Sequence, residues 1–323
     1  MSSVHHAEQR SAPDSPTRSI RELRAALRGR VIAPGDPDYE STRLVVNAAI
    51  DHRPALIIRP VDCADVSLVV SAARAYGIEL AIRGSGHSFA GHGSSDGGFV
   101  LDMSDMRGLH IDPQRRTAWG QAGLTAGQYT TEAARHGLAT GFGDTGSVGI
   151  AGLTLGGGIG WLVRKHGLTV DDLLAVEIVT ADGERLHVDS QRHPDLFWAL
   201  RGGGGNFGVV TRLHYRLHHL ETILGGLLVL PASPAVLGSF IAAADAAPDE
   251  LSTIAILTRL PPLPFVGIRT SRPAGADGAL GLCRRPGPQS AGPCSAVGDR
   301  DTPRRGDRAD ALSTDVCGRG SGP

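Results

Sequence analysis

The chain has 323 residues, 41% of them hydrophobic, and a net charge of −1, which allows about two domains and leaves no global field to recruit nucleic acid or an anionic membrane. It holds 44 glycines and a single lysine, Lys165, set in Arg164-Lys165-His166, which excludes a Gly-Lys-Ser or Gly-Lys-Thr phosphate loop and argues against Schiff-base chemistry. Cys63, Cys283, Cys294 and Cys317 have neither zinc nor disulfide spacing, no apolar run reaches membrane-spanning length, and the N-terminus lacks the apolar core of a signal peptide, so a cytoplasmic address is expected.

Residues 1–18 are polar and Pro/Ser-rich and are expected to be disordered. SIRELRAAL reads as a helix capped by Ser19, with Glu22 at the capping-box position, and STRLVVNAAI at 41–50 as a second helix. ALIIR at 55–59 is a strand. Asp62 caps the next helix, whose Val66, Val69, Val70 and Ala73 keep helical spacing; Cys63 is a small core residue at its start, and Gly77 stops it. ELAIR at 79–83 is a strand that runs into RGSGHSFAGHG, residues 83–93. The glycine loop therefore sits at the carboxyl end of a strand, where open α/β sheets bind ligands.

GFVLDM at 98–103 and RTAWGQAG at 116–123 are strands, and 125–136 is a helix. A second glycine cluster, GLTLGGGIGWLVRKHGL, fills 152–168. AVEIVTADGERLHV at 175–188 is a hairpin folded at Asp182-Gly183. DLFWAL at 195–200 is a short buried helix, and Trp198 and Phe207 are read as core. GVVTRLHYRL at 208–217 alternates as a half-buried strand does. LGGLLVL, AVLGSFIAAADAA and STIAILTRL then begin a new strand–helix–strand unit. From about Phe265 the character changes: the last 59 residues hold 11 Gly, 9 Arg and 6 Pro, and such a composition does not offset its ordering entropy. A natural disordered tail is one reading. The preferred one is a coding frame lost near 265, since arginine without lysine points to GC-rich DNA.

On residues alone the two glycine clusters stay open. Backbone N–H groups of a glycine loop approach a pyrophosphate closely, each charge-assisted bond contributing about 1.5–3 kcal/mol. Gly84 and Gly86 would clear the space and Ser88 would add a hydroxyl. Alone, each loop reads first as a structural turn. The spacing is not G-x-G-x-x-G with a following acidic residue, and Gly158-Ile159-Gly160 follows a glycine run rather than a strand, which disfavours a simple Rossmann domain. His87 and His92, even with Asp96 and Asp102, make a poor metal site, and no metal is expected. A neutral imidazole in such a loop is also a nucleophile that attaches to a bound cofactor.

Taken in order, RGSGHSFAG, GFVLDMSDMRGLHIDP, GDTGSVGIAGLTLGGGIGWLVRKHGLTVDDLLAVEIVTADG and PDLFWALRGGGGNFGVVT resemble the PCMH-type FAD-binding domain of the vanillyl-alcohol oxidase superfamily, and within it the berberine-bridge-enzyme-like oxidases. The resemblance runs over about residues 30–260 and implies an α+β fold. A two-subdomain PCMH-type FAD-binding domain would cover 19–220, with subdomains at about 50–112 and 113–220. The first strand, helix and strand of an incomplete substrate domain would follow at 221–264, with 265–323 as the out-of-frame tail.

In that family the histidine of R-G-x-G-H-S carries FAD through the flavin 8α-methyl group, a position held here by His87. Many members have a second tether, the cysteine of C-P-x-V-G. The matching stretch is Thr145-Gly146-Ser147-Val148-Gly149, so one covalent bond is implied. Arg83, Gly84, Ser85, Gly86, His87 and Ser88 would wrap the pyrophosphate, with Gly91 beside them. Thr145, Gly146, Val148, Gly149, Gly152 and Gly158 would line the isoalloxazine and phosphates, with Val209 and Val210 on the other side of the cofactor. Arg164-Lys165-His166 reads as a cofactor-entry patch or as solvated surface. The implied activity is an FAD-dependent oxidase that moves a hydride from an alcohol, sugar hydroxyl or amine carbon to flavin N5. Its partners would be a small-molecule substrate and dioxygen, with no nucleic acid and no membrane. No catalytic base is identified. One alternative is an inactive remnant that at most binds FAD; another, on composition alone, is nucleic-acid binding through the Arg-rich tail.

Overall fold

The computed structural model describes residues 16–220, 222–259 and 277–286. The expectations attached to residues 1–15 and to most of the chain past 265 lie outside the described residues. Two compact units emerge: one of the residues up to Gly160 together with Leu168–His218, the other of Trp161–Gly167 together with the residues from His219 onward.

The first unit opens with α1 (Pro16–Ala26), β1 (Arg30–Ile32), α2 (Tyr39–Arg43), β2 (Leu56–Arg59), α3 (Cys63–Tyr76), β3 (Leu80–Arg83) and β4 (Phe99–Asp102). Their sheet has the order β1-β2-β4-β3; β2 and β3 lie parallel to β4, and β1 is antiparallel to β2. Helix α3 has the caps its sequence asks for. The Asp62 carboxylate accepts from the backbone N–H of Ala64 and Asp65, and Gly77 closes the helix at φ 65°. Cys63 is only half-buried, with Sγ 3.4 Å from Thr211 Oγ1.

Two helix readings need correction. Helix α1 begins at Pro16, so Ser19 is inside it rather than at its cap; proline is pre-organised for a first turn. The helix expected over 41–50 stops at Arg43, and Leu44 is extended at φ −64°, ψ 146°. There the backbone finds a tertiary partner instead of continuing the helix, because the Val46 N–H donates to Gly86 O at 3.1 Å.

The second sheet is built from β5 (Leu109–Asp112), β6 (Thr117–Gln121), β8 (Leu173–Val179), β9 (Arg185–Asp189) and β10 (Val209–Arg216). Its order is β5-β6-β10-β8-β9 and every pair is antiparallel. Around it run α4 (Ala126–Ala134), β7 (Leu138–Ala139), α5 (Ile150–Leu155), α7 (Pro194–Leu200) and β11 (His218–His219). The β8–β9 hairpin turns at Gly183, φ 84°, as expected. The core under this sheet is aromatic: Tyr129, Phe142 and Tyr215 meet edge to face at 4.8–5.6 Å. Their hydroxyls are satisfied, Tyr215 with Thr154 at 2.8 Å and Tyr129 with Thr140 at 3.1 Å. Trp198 and Phe207 are not core, being 78% and 38% exposed. In α7 the buried positions are Phe197 and Leu200, three apart, and a helix that turns those inward turns Trp198 outward.

The second unit contains α6 (Val163–His166), β12 (Ile223–Pro231), α8 (Pro234–Asp245), β13 (Ser252–Arg259) and β14 (Asp277–Pro286), with sheet order β12-β14-β13. Arg164 is more than solvated surface. It donates to the carbonyls of Ala244 and Ala247 at 2.6 Å each, and to Leu251 O at 3.2 Å, so it closes the carboxyl end of α8. Lys165 pairs with Glu250 at 3.4 Å. β14 falls in the stretch read as structureless; it pairs antiparallel with both β12 and β13. Its short apolar segment, ALGLC, is diluted when composition is averaged over the whole tail. Among the described residues no helix is long and apolar enough to cross a membrane.

Candidate cofactor site

β3 is an edge strand, and at its carboxyl end the chain turns into the loop 84–93. Arg83 itself folds back into the protein. It is 4% exposed, its Nη2 lies 3.3 Å from Asp102 Oδ2, and its Nη1 donates to Arg43 O at 3.4 Å. Arg59 Nε reaches the same Asp102 oxygen at 3.0 Å. Burial pulls the Arg83 pKa down and Asp102 opposes that pull. The guanidinium expected at a phosphate is thus committed to the base of the loop.

Beyond it the backbone is left open. Gly86 and Gly91 take φ 74° and 83°, values that favour glycine. Among the described residues no protein acceptor takes the N–H of Gly84, Ser85, Gly86, His87 or Ser88. Consecutive N–H groups of this kind form a concavity for an anion.

The 145–149 turn, just before the second glycine cluster, closes onto this loop from some sixty positions along the chain. Ser85 Oγ accepts the Gly149 N–H at 2.5 Å, and Ser147 Oγ lies 3.0 Å from His87 Nε2. The 145–149 turn rests in turn on the start of α4, through Gly127 N–H to Gly146 O and Ala126 N–H to Val148 O, both 2.8 Å.

A cavity of about 970 Å³ opens between these segments. Of the predicted residues, Arg83, Gly84, Ser85, Gly86, His87, Ser88, Gly91, Val148, Gly149, Gly152 and Val210 line it. Thr145, Gly146, Gly158 and Val209 do not. Thr145 Oγ1 bonds Asp144 at 3.1 Å. Val209 is buried, paired with Val179. Gly158 is glycine for packing: at φ 79° an added Cβ would sit 2.3 Å from Thr169 Oγ1. The lining also includes His52, Glu79, His92, Ser94, Met103 and Gly204-Gly205-Asn206. Of these, His92, in the first glycine loop, and the glycine run before Asn206 carried a signal in the sequence; His52 and Glu79 did not.

Three glycines show what the cavity is shaped for. An added Cβ at Gly152 or Gly205 meets no protein atom within 4 Å, and at Gly84 only Ala122 O at 3.8 Å. None of the three has a left-handed φ. Gly152 even lies within α5, where glycine costs about 1 kcal/mol against alanine. Neither backbone conformation nor packing demands glycine there, and the positions leave room for a group in the cavity. A cradle of neutral N–H donors beside side-chain-free walls fits a flat cofactor with a pyrophosphate. Among the described residues no cluster of His, Cys, Asp or Glu is placed to hold a metal ion.

Comparison with known proteins agrees with this geometry. The FAD binding domain family matches residues 54–189. (R)-6-Hydroxynicotine oxidase of Paenarthrobacter nicotinovorans is 33% identical over 298 residues, covering 90% of this chain and 64% of that protein. Glucooligosaccharide oxidase of Sarocladium strictum is 34% identical over 181 residues, 55% of this chain and 36% of that one. Among solved structures, 6-hydroxy-D-nicotine oxidase of Arthrobacter nicotinovorans superposes with a TM-score of 0.74 at 31% identity, over 81% of this chain and 56% of that chain. A BBE-like 1 variant of Physcomitrella patens gives 0.74 at 27% identity, over 84% and 57%. This chain therefore spans less than two thirds of the length of these relatives. The order of motifs, the open glycine cradle and these matches agree: residues 54–189 carry an FAD binding domain, and the chain is similar to FAD-linked oxidoreductases of the berberine-bridge-enzyme-like kind.

Proposed function

We propose that the chain is an FAD-linked oxidoreductase whose cofactor lies in the cavity between the two glycine clusters and is joined to the protein through His87. The five N–H groups of Gly84 to Ser88, which have no acceptor among the described residues, carry this reading. They would hold the pyrophosphate, while Gly84, Gly152 and Gly205 keep the walls clear. Ser147, 3.0 Å from His87 Nε2, orients the imidazole. Thr145 stands off the cavity and supplies no second tether. Bound there, FAD would supply two-electron oxidation of a substrate carbon, with dioxygen as the final acceptor. The substrate class is an alcohol, a sugar hydroxyl or an amine-bearing carbon; a glucooligosaccharide oxidase and a hydroxynicotine oxidase among the relatives support the sugar and amine ends of that range.

The test is oxygen uptake by FAD-saturated protein with a panel of oligosaccharides, primary alcohols and cyclic amines. Substrate-dependent uptake that is lost when FAD is withheld from a His87→Ala variant supports the reading. FAD binding with no uptake for any class would leave a flavin-binding protein and overturn the oxidase assignment.

A further inference from the structure

The segment after Arg43, read from sequence as helix, is a clasp on the cofactor loop. Its neck is closed by Arg43, 8% exposed. The Arg43 guanidinium pairs with Asp51, donates to His52 O at 3.3 Å and reaches Glu40 at 2.7 Å. Residues 43 and 51, the two ends of the segment, are thus pinned together. Arg43 O also accepts from Arg83, which ties the neck to the end of β3.

The tip grips the loop at two carbonyls. The Val46 N–H donates to Gly86 O at 3.1 Å, and Asn47 Nδ2 donates to Phe89 O at 3.3 Å. The Asn47 side chain is itself held, since its Oδ1 accepts the Ala49 N–H at 3.1 Å. Ile50 packs so closely that an added Cβ at Gly91 would lie 3.3 Å from its Cδ1, and one at Gly86 would lie 3.6 Å from Val45 Cα.

Peptide geometry gives these contacts a consequence. In a trans peptide the C=O of one residue and the N–H of the next point in opposite directions. With Gly86 O drawn outward by Val46, the His87 N–H points the other way. With Phe89 O drawn outward by Asn47, the Ala90 N–H does the same. We propose that residues 43–51 act as a clasp on the cofactor loop, the Val46 bond setting the direction of the His87 N–H and the Asn47 bond that of the Ala90 N–H at a residue that also lines the cavity, so that Asn47 is a positioning residue for cofactor binding and for attachment at His87. This rests on the reading that Gly84 to Ser88 hold FAD.

The experiment compares wild type, Asn47→Ala and Asn47→Asp. The alanine removes both side-chain bonds; the aspartate keeps the acceptor for Ala49 and loses the donor to Phe89. FAD affinity is measured in a His87→Ala background, attachment rate in the His87 background, and melting in the apoproteins. Both variants should bind FAD about tenfold more weakly, the effect of one lost neutral hydrogen bond at the upper end of its range. Both should attach it more slowly, while apoprotein melting temperatures stay within a few degrees of wild type. Rescue of affinity by aspartate would place the effect in the Asn47 turn and overturn the donor role. Unchanged affinity and attachment in both variants would overturn the clasp while leaving FAD binding intact. Failure of wild type itself to bind FAD would overturn both readings.

Discussion

At the scale of single residues, the glycines divide into three kinds that the sequence does not distinguish. Gly86 and Gly91 serve a left-handed backbone. Gly158 serves both a left-handed backbone and packing against Thr169. Gly152 serves neither, and is expected to serve the ligand. Gly152→Ala should therefore raise the apoprotein's unfolding free energy by about 1 kcal/mol while weakening FAD binding, as seen by apoprotein denaturation and flavin titration. Loss of stability together with unchanged affinity would contradict the assignment. His87 was legible in its motif, but its partner Ser147 was not, because no local pattern links positions sixty apart. Trp198 misled because large aromatics are usually buried, whereas the helical phase set by Phe197 and Leu200 decides its direction.

At the scale of elements, those with strong local signals came through. α3 has an apolar stripe, an aspartate cap and a closing glycine, and it forms where these place it. The short strands β1 and β5 carried too little pattern to be seen. The 41–50 segment has a helical pattern that its tertiary bonds to the 86–89 loop override. The β3–β4 pair depends on a buried charge cluster, in which Asp102 takes both Arg83 and Arg59. Asp102→Asn leaves Arg83 charged and buried without its counter-ion, and should cost about 3–5 kcal/mol in denaturant unfolding. A loss below about 1 kcal/mol would show that the arginines re-solvate.

On the outer side of the second sheet, His214 stacks on Trp119 with ring centres 4.5 Å apart. Burial, with His187 and Arg212 nearby, pulls its pKa below the usual 6.5. The folded state therefore binds fewer protons here than the unfolded chain. The associated stability is present above about pH 6.5 and is lost as pH falls through the lowered value. His214→Gln should flatten the decline in unfolding free energy as pH falls below about 6.5; an unaltered slope would assign it to other groups.

At the scale of the whole molecule, the two units have different standing. The first carries every residue of the candidate cofactor site, and its motifs announced themselves in order along the chain. The second is known through a three-stranded sheet, one long helix and the Arg164 anchor on that helix. Its central strand β14 was hidden by the average composition of the surrounding tail. Substrate choice was not legible, since the cavity residues speak to the cofactor and the chain spans only 64% of the hydroxynicotine oxidase it resembles.

The central claim, FAD bound across the two glycine clusters and attached at His87, has a direct measurement. FAD-saturated protein is precipitated with acid, washed and digested, and the flavin-bearing peptide is identified by mass. Wild type should give a yellow pellet and a flavin adduct on the peptide containing His87, and His87→Ala a colourless pellet. A colourless wild-type pellet from protein that bound FAD beforehand, or a yellow pellet from His87→Ala, would contradict it.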